Sequence, residues 1–351
     1  MKKTLISASV ATVLAAASFG ALADGPTLYG RLDLSITNSD QGATLQTGTN
    51  GVEVGESGTY IENNFSHLGV KGSEKISDGV DIIYQMEFQV ENTSGSGDTF
   101  KARNTYLGAK TNFGTVLAGR NDTVFKQAEG GVDVFGNTNA DIDRMLGGQV
   151  RSGDGVWYYS PKIADLITLN ATYLMEDNYD EYVGGVKVEK DNMYALSATI
   201  GDKKLKAQNY YAAIAYNKAI GNIDAYRAVG QVKLGDFKLG GLFQNSESIV
   251  DGSDDNNTYF VNVVYNLNGV NLKLQYGYDE AGFGKYYKAL GDNAGTDIEV
   301  TNITVGADYR VAKSTLLFAH YANYQGEYKD AGAKFDLEDD NVFTVGVRYD
   351  F

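Results

Sequence analysis

Few residues in this chain can do covalent chemistry. It has 351 residues, no cysteine and two histidines, His67 and His320. Without cysteine there is no thiolate nucleophile, no thiolate metal ligand and no disulfide. Two histidines are thin material for a triad or a His-based metal site. Acids cluster at Asp251-Gly252-Ser253-Asp254-Asp255 and at Asp336-Leu337-Glu338-Asp339-Asp340. Such oxygen donors suit Ca²⁺ or Mg²⁺, but neither run has the spacing of an EF-hand loop, and solvated loop surface is the simpler reading. No glycine-rich stretch opens a helix, so no phosphate cradle is expected. Trp157 and Tyr158-Tyr159 could stack on sugars, the alternative being packing or an interfacial belt. The residues therefore point to no enzyme, no metal and no cofactor. Acids outnumber bases 45 to 30, a formal charge of −15. Nucleic acid is an unfitting partner for so acidic a chain, because duplex binding rests on neutralising phosphates.

The elements that must position these residues follow a leader. Lys2 and Lys3 precede an apolar stretch from Leu5 to Ala17, and Ala21-Leu22-Ala23 fits a small-x-small cleavage site. Residues 1–23 are expected to be a cleaved signal peptide, with 24–351 as one domain. Beyond residue 23 no apolar run is long enough for a membrane helix. The dominant period is two. In Asn341–Phe351, Phe343, Val345, Val347, Tyr349 and Phe351 alternate with Thr344, Gly346, Arg348 and Asp350. The same alternation runs through Val80–Val90, Thr258–Leu267, Val270–Asp279 and Leu28–Ile36. Sixteen strands are expected, starting near Thr27, Tyr60, Val80, Phe100, Gly114, Asp154, Leu166, Asn192, Gln208, Ile223, Phe237, Asn257, Val270, Glu299, Ser314 and Asn341.

Short connections such as Gly235-Asp236 and Asn268-Gly269 alternate with long polar ones. The long set includes Thr37–Thr59, Asn121–Gly153, Glu176–Asp191, Asp279–Ile298 and Gln325–Asp340. Short turns on one side and long loops on the other are the habit of outer-membrane barrels. Alternation alone does not separate such a barrel from a soluble one, whose apolar face turns inward. The export leader, the mid-strand charges Arg103, Arg227 and Lys273, and the tyrosines near strand ends favour an apolar face on lipid and a polar lumen. The expected fold is all-β, a 16-stranded antiparallel transmembrane β-barrel, wide enough for an aqueous channel.

Leu28-Tyr29-Gly30-Arg31-Leu32-Asp33-Leu34, Leu68-Gly69-Val70-Lys71-Gly72-Ser73-Glu74, Phe113-Gly114-Thr115-Val116-Leu117-Ala118-Gly119-Arg120 and the terminal Val345-Gly346-Val347-Arg348-Tyr349-Asp350-Phe351 resemble the general diffusion porins of Gram-negative outer membranes. Each motif is weak alone; their order and the terminal phenylalanine make the set specific. The resemblance implies a homotrimer in the outer membrane, in contact with lipid and lipopolysaccharide, passing small hydrophilic solutes passively. It implies that Phe351 ends a strand read by the barrel-assembly machinery. It also implies an inward-folded third loop, here 121–153, carrying Glu129, Asp133, Asp141 and Asp143 opposite a basic wall of Arg103, Arg120 and Arg151. The family's usual proline before the acid-plus-glycine stretch Glu129-Gly130-Gly131 is absent. Arg31 extends that wall, and His67 stands where the family commonly has arginine.

Acids facing bases across a narrow water path set up a transverse field, focused by low-dielectric walls. Polar solutes align with it, and charge rings set ion preference. The acidic loop and acidic chain lead to an expected mild cation preference. His67 would make it weaken below about pH 6.5, or is simply a wall residue. The competing reading is a substrate-selective porin for oligosaccharides or a specific anion.

Overall fold

The computed structural model describes residues 25–46, 49–91, 93, 97–189, 191–292 and 295–351. The expected leader lies outside them. The wall strands are β1 (Thr27–Ser39), β2 (Gly58–Asn63 and His67–Ser77), β3 (Val80–Val90), β4 (Phe100–Thr111), β5 (Gly114–Asp122), β6 (Arg151–Tyr159), β7 (Ile167–Leu174) and β8 (Met193–Gly201). They continue as β9 (Tyr210–Lys218), β10 (Ile223–Leu234), β11 (Phe237–Ser248), β12 (Asn256–Leu267), β13 (Val270–Asp279), β14 (Thr296–Ala312), β15 (Thr315–Asp330) and β16 (Ala333–Asp350). Each pairs antiparallel with its sequence neighbours, and β1 pairs with β16 from Arg31↔Asp350 to Ser39↔Val342. The ring is therefore closed and leaves no sheet edge along that seam, as a membrane wall requires. The two pieces of β2 both pair with β1 and make one strand, interrupted at Asn64-Phe65-Ser66, where Phe65 has φ 62°.

The alternation is inside-out relative to a soluble barrel. On β16, Phe343 and Val345 are 55% and 50% exposed while Thr344 between them is fully buried. On β1, Ile36 is 60% exposed and its neighbour Thr37 is fully buried. Apolar side chains thus cover the outside, where acyl chains supply the solvent, and polar ones point into the ring.

Fifteen of the sixteen strands begin within three residues of the expected positions. The last does not. Gln325–Asp340, expected as a loop, is the outer half of the β15–β16 hairpin, with a two-residue turn at Ala331-Gly332, both at positive φ. These strands run 16 and 18 residues, well beyond the roughly 9–11 that span a bilayer. Past the lipid both faces meet water, so the outer half carries no apolar alternation to read. The connection expected at 121–153 is also shorter: Asp122 pairs with Arg151, and the loop proper is 123–150. It contains α1 (Val124–Gln127), capped by Thr123, whose hydroxyl accepts from the Lys126 N–H at 3.2 Å, and a 3₁₀ turn Ile142–Arg144 capped by Asp141. A further helix, α2 (Lys285–Leu290), lies between β13 and β14.

Candidate functional site: a charged wall and the loop beside it

Backbone irregularities aim the wall's charged side chains. Between β3 and β4 the register shifts, so that Arg103 and Asn104 both stand opposite Glu87. Such a bulge redirects the side chain it carries. Arg103 Nε meets Glu87 Oε1 at 2.6 Å. Tyr29 donates to Glu87 Oε2 at 2.9 Å, and His67 Nε2 lies 3.9 Å from that oxygen. The other ring nitrogen of His67 is 2.8 Å from the Phe65 carbonyl, a contact created by the break in β2. Between β5 and β6 the register shifts again beside Gly119, whose φ of 131° suits glycine alone. Beyond that shift Arg120 lies in Coulombic reach of Asp122 and Arg151. Arg151 Nε meets Asp122 Oδ1 at 3.1 Å, and Lys126 Nζ approaches the same oxygen at 3.6 Å.

Arg31 belongs to a neighbouring group. Its Nε meets Asp350 Oδ1 at 2.7 Å, while Arg348 and Arg310 approach the other oxygen at 3.0 and 4.0 Å. Arg31 pairs in register with His67, so the two groups share one stretch of wall. Phe351 exchanges both backbone hydrogen bonds with Gly30, at 2.9 and 3.0 Å.

The loop 123–150 touches many strands through their polar side chains. Thr172 on β7 accepts from the Val124 N–H, and Tyr211 on β9 donates to the Ala128 carbonyl. Asn262 on β12 and Lys273 on β13 donate to the carbonyls of Val132 and Val134, at 2.6 and 2.8 Å. Asn139 donates to Thr37, Glu62 and Thr344, on β1, β2 and β16. Its Oδ1 lies 2.7 Å from His320 Nε2, and its carbonyl accepts from Tyr324. On the return, Gln244 and Arg227 donate to the Gly147 carbonyl. The loop also brings its own apolar cluster: Phe125, Val132, Phe135, Ile142, Met145 and Leu146 are all buried. At roughly 1.5–3 kcal/mol for each large buried side chain, an upper bound, this adds to the hold of its hydrogen bonds.

Arg227 and Lys273, read from sequence as lumen charges in water, instead grip this loop. Arg227 is 2% exposed, donates to the Phe125 carbonyl at 3.1 Å and lies 4.1 Å over the Phe125 ring. Lys273 pairs with Asp308 at 2.5 Å. Trp157 is fully buried and donates to the Asp122 carbonyl, a packing role with no face free for a sugar.

The four loop acids gather in one group of their own. Burial, then Asp141, pushes Glu129 up to about 7, although Gln149 donates to it. Burial pushes Asp133 well above the usual carboxylate range, and Asp141, Glu129 and Asp143 add to this. Burial and Asp143 raise Asp141. Burial also works to raise Asp143, but Arg144 at 2.7 Å and Lys285 at 3.2 Å outweigh it and hold that carboxyl below its ordinary value. Lys126 acts on Asp122, Glu129 and Asp143 alike, and so stands between the loop acids and the wall.

The structure thus brings Arg103, Arg120 and Arg151 together, with His67 beside them. It adds Glu87, Asp122 and Lys126, which reading by motif did not assign to the wall. The i, i+4 spacing of Asp122 and Lys126 on one helix entry was the available signal for that pair. Glu87 sits at a polar-face position of the hairpin shared with Arg103.

The sequence profile of the family described as "Gram-negative porin" matches residues 10–331. The chain is 26% identical to the "Major outer membrane protein P.IB" of Neisseria lactamica, with all of both chains covered. It is 24% identical to a "Major outer membrane protein P.IA" of Neisseria meningitidis, covering 97% of this chain and 89% of that one. In fold it is similar to the "Anion-selective porin from Comamonas acidovorans", with TM-score 0.69 and 19% identity over 93% of this chain and 100% of that one. It is also similar to OmpT of Vibrio cholerae in its trimer form, with TM-score 0.63 and 20% identity over 93% and 99%. The closed inside-out barrel and these matches agree: the chain belongs to the Gram-negative porin family, non-enzymatic proteins of the outer membrane.

Proposed function

We propose that the protein forms a water-filled channel for ions and small hydrophilic solutes. In this reading the 121–153 segment folds into the bore and narrows it against the wall of Arg31, His67, Arg103, Arg120 and Arg151. The observation that carries it is the inversion of faces: apolar side chains are exposed outside a closed ring whose inward side chains are polar. The loop's hydrogen bonds to the buried Thr37, Glu62, His320 and Thr344 support an inward path, because these side chains share the polar face.

Acids on the loop favour cations; the wall favours anions. Asp143 is offset by Arg144 and Lys285, and Glu129 carries only part of its charge near neutrality. On this balance the wall outweighs the loop, and selectivity tilts weakly to anions, against the mild cation preference that the acid count alone suggests. Reversal potentials across a planar bilayer in asymmetric KCl test the sign.

A homotrimer in lipid and lipopolysaccharide is part of the proposal, supported by the family and by the trimeric OmpT of similar fold. Phe351 is proposed as the end of the strand that the assembly machinery reads. Refolding into liposomes and native gel mobility test the trimer.

A further inference from the structure

A second connection lies against the loop 123–150. It is the stretch 280–292 between β13 and β14, which carries α2. The two backbones meet through a glycine on each side. A Cβ on Gly284 would stand 2.2 Å from Met145 Cα and 2.4 Å from the Arg144 carbonyl oxygen. A Cβ on Gly147 would stand 2.7 Å from Phe283 Cβ. Neither approach leaves room for a larger residue. The wall holds α2 in turn. Tyr286 is fully buried, stacks on Tyr324 of β15 and donates to the Glu338 carbonyl of β16 at 2.7 Å.

This contact brings a charge with it. The loop 123–150 has four acids, Glu129, Asp133, Asp141 and Asp143, against two bases, Lys126 and Arg144. Lys126 reaches towards Asp122 at 3.6 Å. Arg144 is 1% exposed and divides its donors between Asp143 and the Thr138 carbonyl. Lys285 adds a third base from outside the loop, 3.2 Å from Asp143 Oδ2. Its side chain is partly exposed, so the pair sits where water and ions can reach it.

We propose that the connection 280–292 is a second element of the constriction and that Lys285 determines specificity through Asp143, offsetting a charge that the loop 123–150 does not balance itself. The inference deepens the channel reading and rests on it. The fitted glycines fix where α2 stands, and Tyr286 fixes it to the wall, so Lys285 is placed in advance and does not have to find Asp143 from solution. An outer connection thereby sets part of the ion preference of a loop elsewhere in the chain, through a charge in Coulombic reach of passing ions.

The test is the reversal potential of the purified full-length protein in a planar bilayer under a KCl gradient. Lys285→Gln should shift the permeability ratio towards K⁺ by about threefold, the effect of one unit charge on an ion roughly 7 Å away in water. The shift should shrink when KCl on both sides is raised about tenfold, because screening then acts over a shorter range. Lys285→Arg should behave as wild type. Combining Lys285→Gln with Asp143→Asn should restore the wild-type ratio, since both charges of the pair are gone; a lysine with a merely structural role would not be rescued in this way. Lys187→Gln, which removes an exposed ion pair with Glu181 in the connection between β7 and β8, is the control and should leave the ratio unchanged. Open channels whose ratio is the same with Gln as with Lys at position 285, or a double variant that stays shifted, overturn the role of Lys285 and leave the porin reading standing. If neither the wild-type protein nor any variant gives channel steps, the porin reading itself fails.

Discussion

Phe351 and Gly30 close the barrel together. Each donates its backbone N–H to the other's carbonyl, and the phenyl ring lies where a Cβ on residue 30 would be, 2.3 Å from Phe351 Cζ. The last residue therefore covers an outward-facing glycine in the first strand, and the seam depends on that glycine having no side chain. Gly30→Val should displace the ring and slow closure. The expected result is a several-fold lower yield of heat-modifiable barrel on refolding into liposomes. A yield equal to wild type would mean that the seam closes without this fit.

Asn139 ties the loop tip to four strands through Thr37, Glu62, Thr344 and His320. Asn139→Leu removes these bonds and strands buried polar partners, at a cost of about 1–3 kcal/mol for each group left unsatisfied. The apolar cluster of Phe125, Phe135 and Ile142 remains, so the barrel should survive while the loop tip loosens. The expected readout is a noisier open-channel current from an intact barrel. A quiet current indistinguishable from wild type would show that the apolar contacts alone fix the tip.

The pH response should centre on the loop. Glu129 titrates near 7, and Asp133 above the usual carboxylate range, both chiefly through burial. A carboxyl with a raised value loses its charge as pH falls through that value. Lowering pH from about 8 to about 6 should therefore strip negative charge from the loop and move the reversal potential towards anions. Glu129→Gln should remove much of this change. A full response in that variant, lost instead in His67→Arg, would assign it to His67, as the sequence alone suggested.

Gly119 should be intolerant of a side chain. At φ 131° an L-residue is strained, and a Cβ there would lie 2.5 Å from the Thr105 carbonyl oxygen. Gly119→Ala is expected to cost about 1–3 kcal/mol and to re-aim Arg120. The check is a lower unfolding temperature together with a shift in ion preference in the same direction as Arg120→Gln. A stable variant with unchanged preference would separate the bulge from the wall.

The barrel was legible because lipid imposes one rule on every strand: apolar outside at a period of two. That rule placed the strands from Thr27 to Ser314, and it stopped working where β15 and β16 leave the membrane. The wall's arginines could be picked out by motif, but their partners could not. Glu87 meets Arg103 only because a bulge turns two residues towards it, and Arg120 comes within Coulombic reach of Asp122 only beyond the shift at Gly119. Such one-residue irregularities leave no periodic trace. The hold of Arg227 and Lys273 on the loop was equally hidden, because a lumen charge facing water and one facing a carbonyl look the same in a sequence.

Single-channel recording of the purified protein in a planar bilayer under a KCl gradient tests the central claim most directly. Discrete, ohmic steps with a reversal potential displaced weakly to the anion side, and displaced towards cations by Arg120→Gln, are the predicted result. A folded barrel that inserts but carries no current would contradict it.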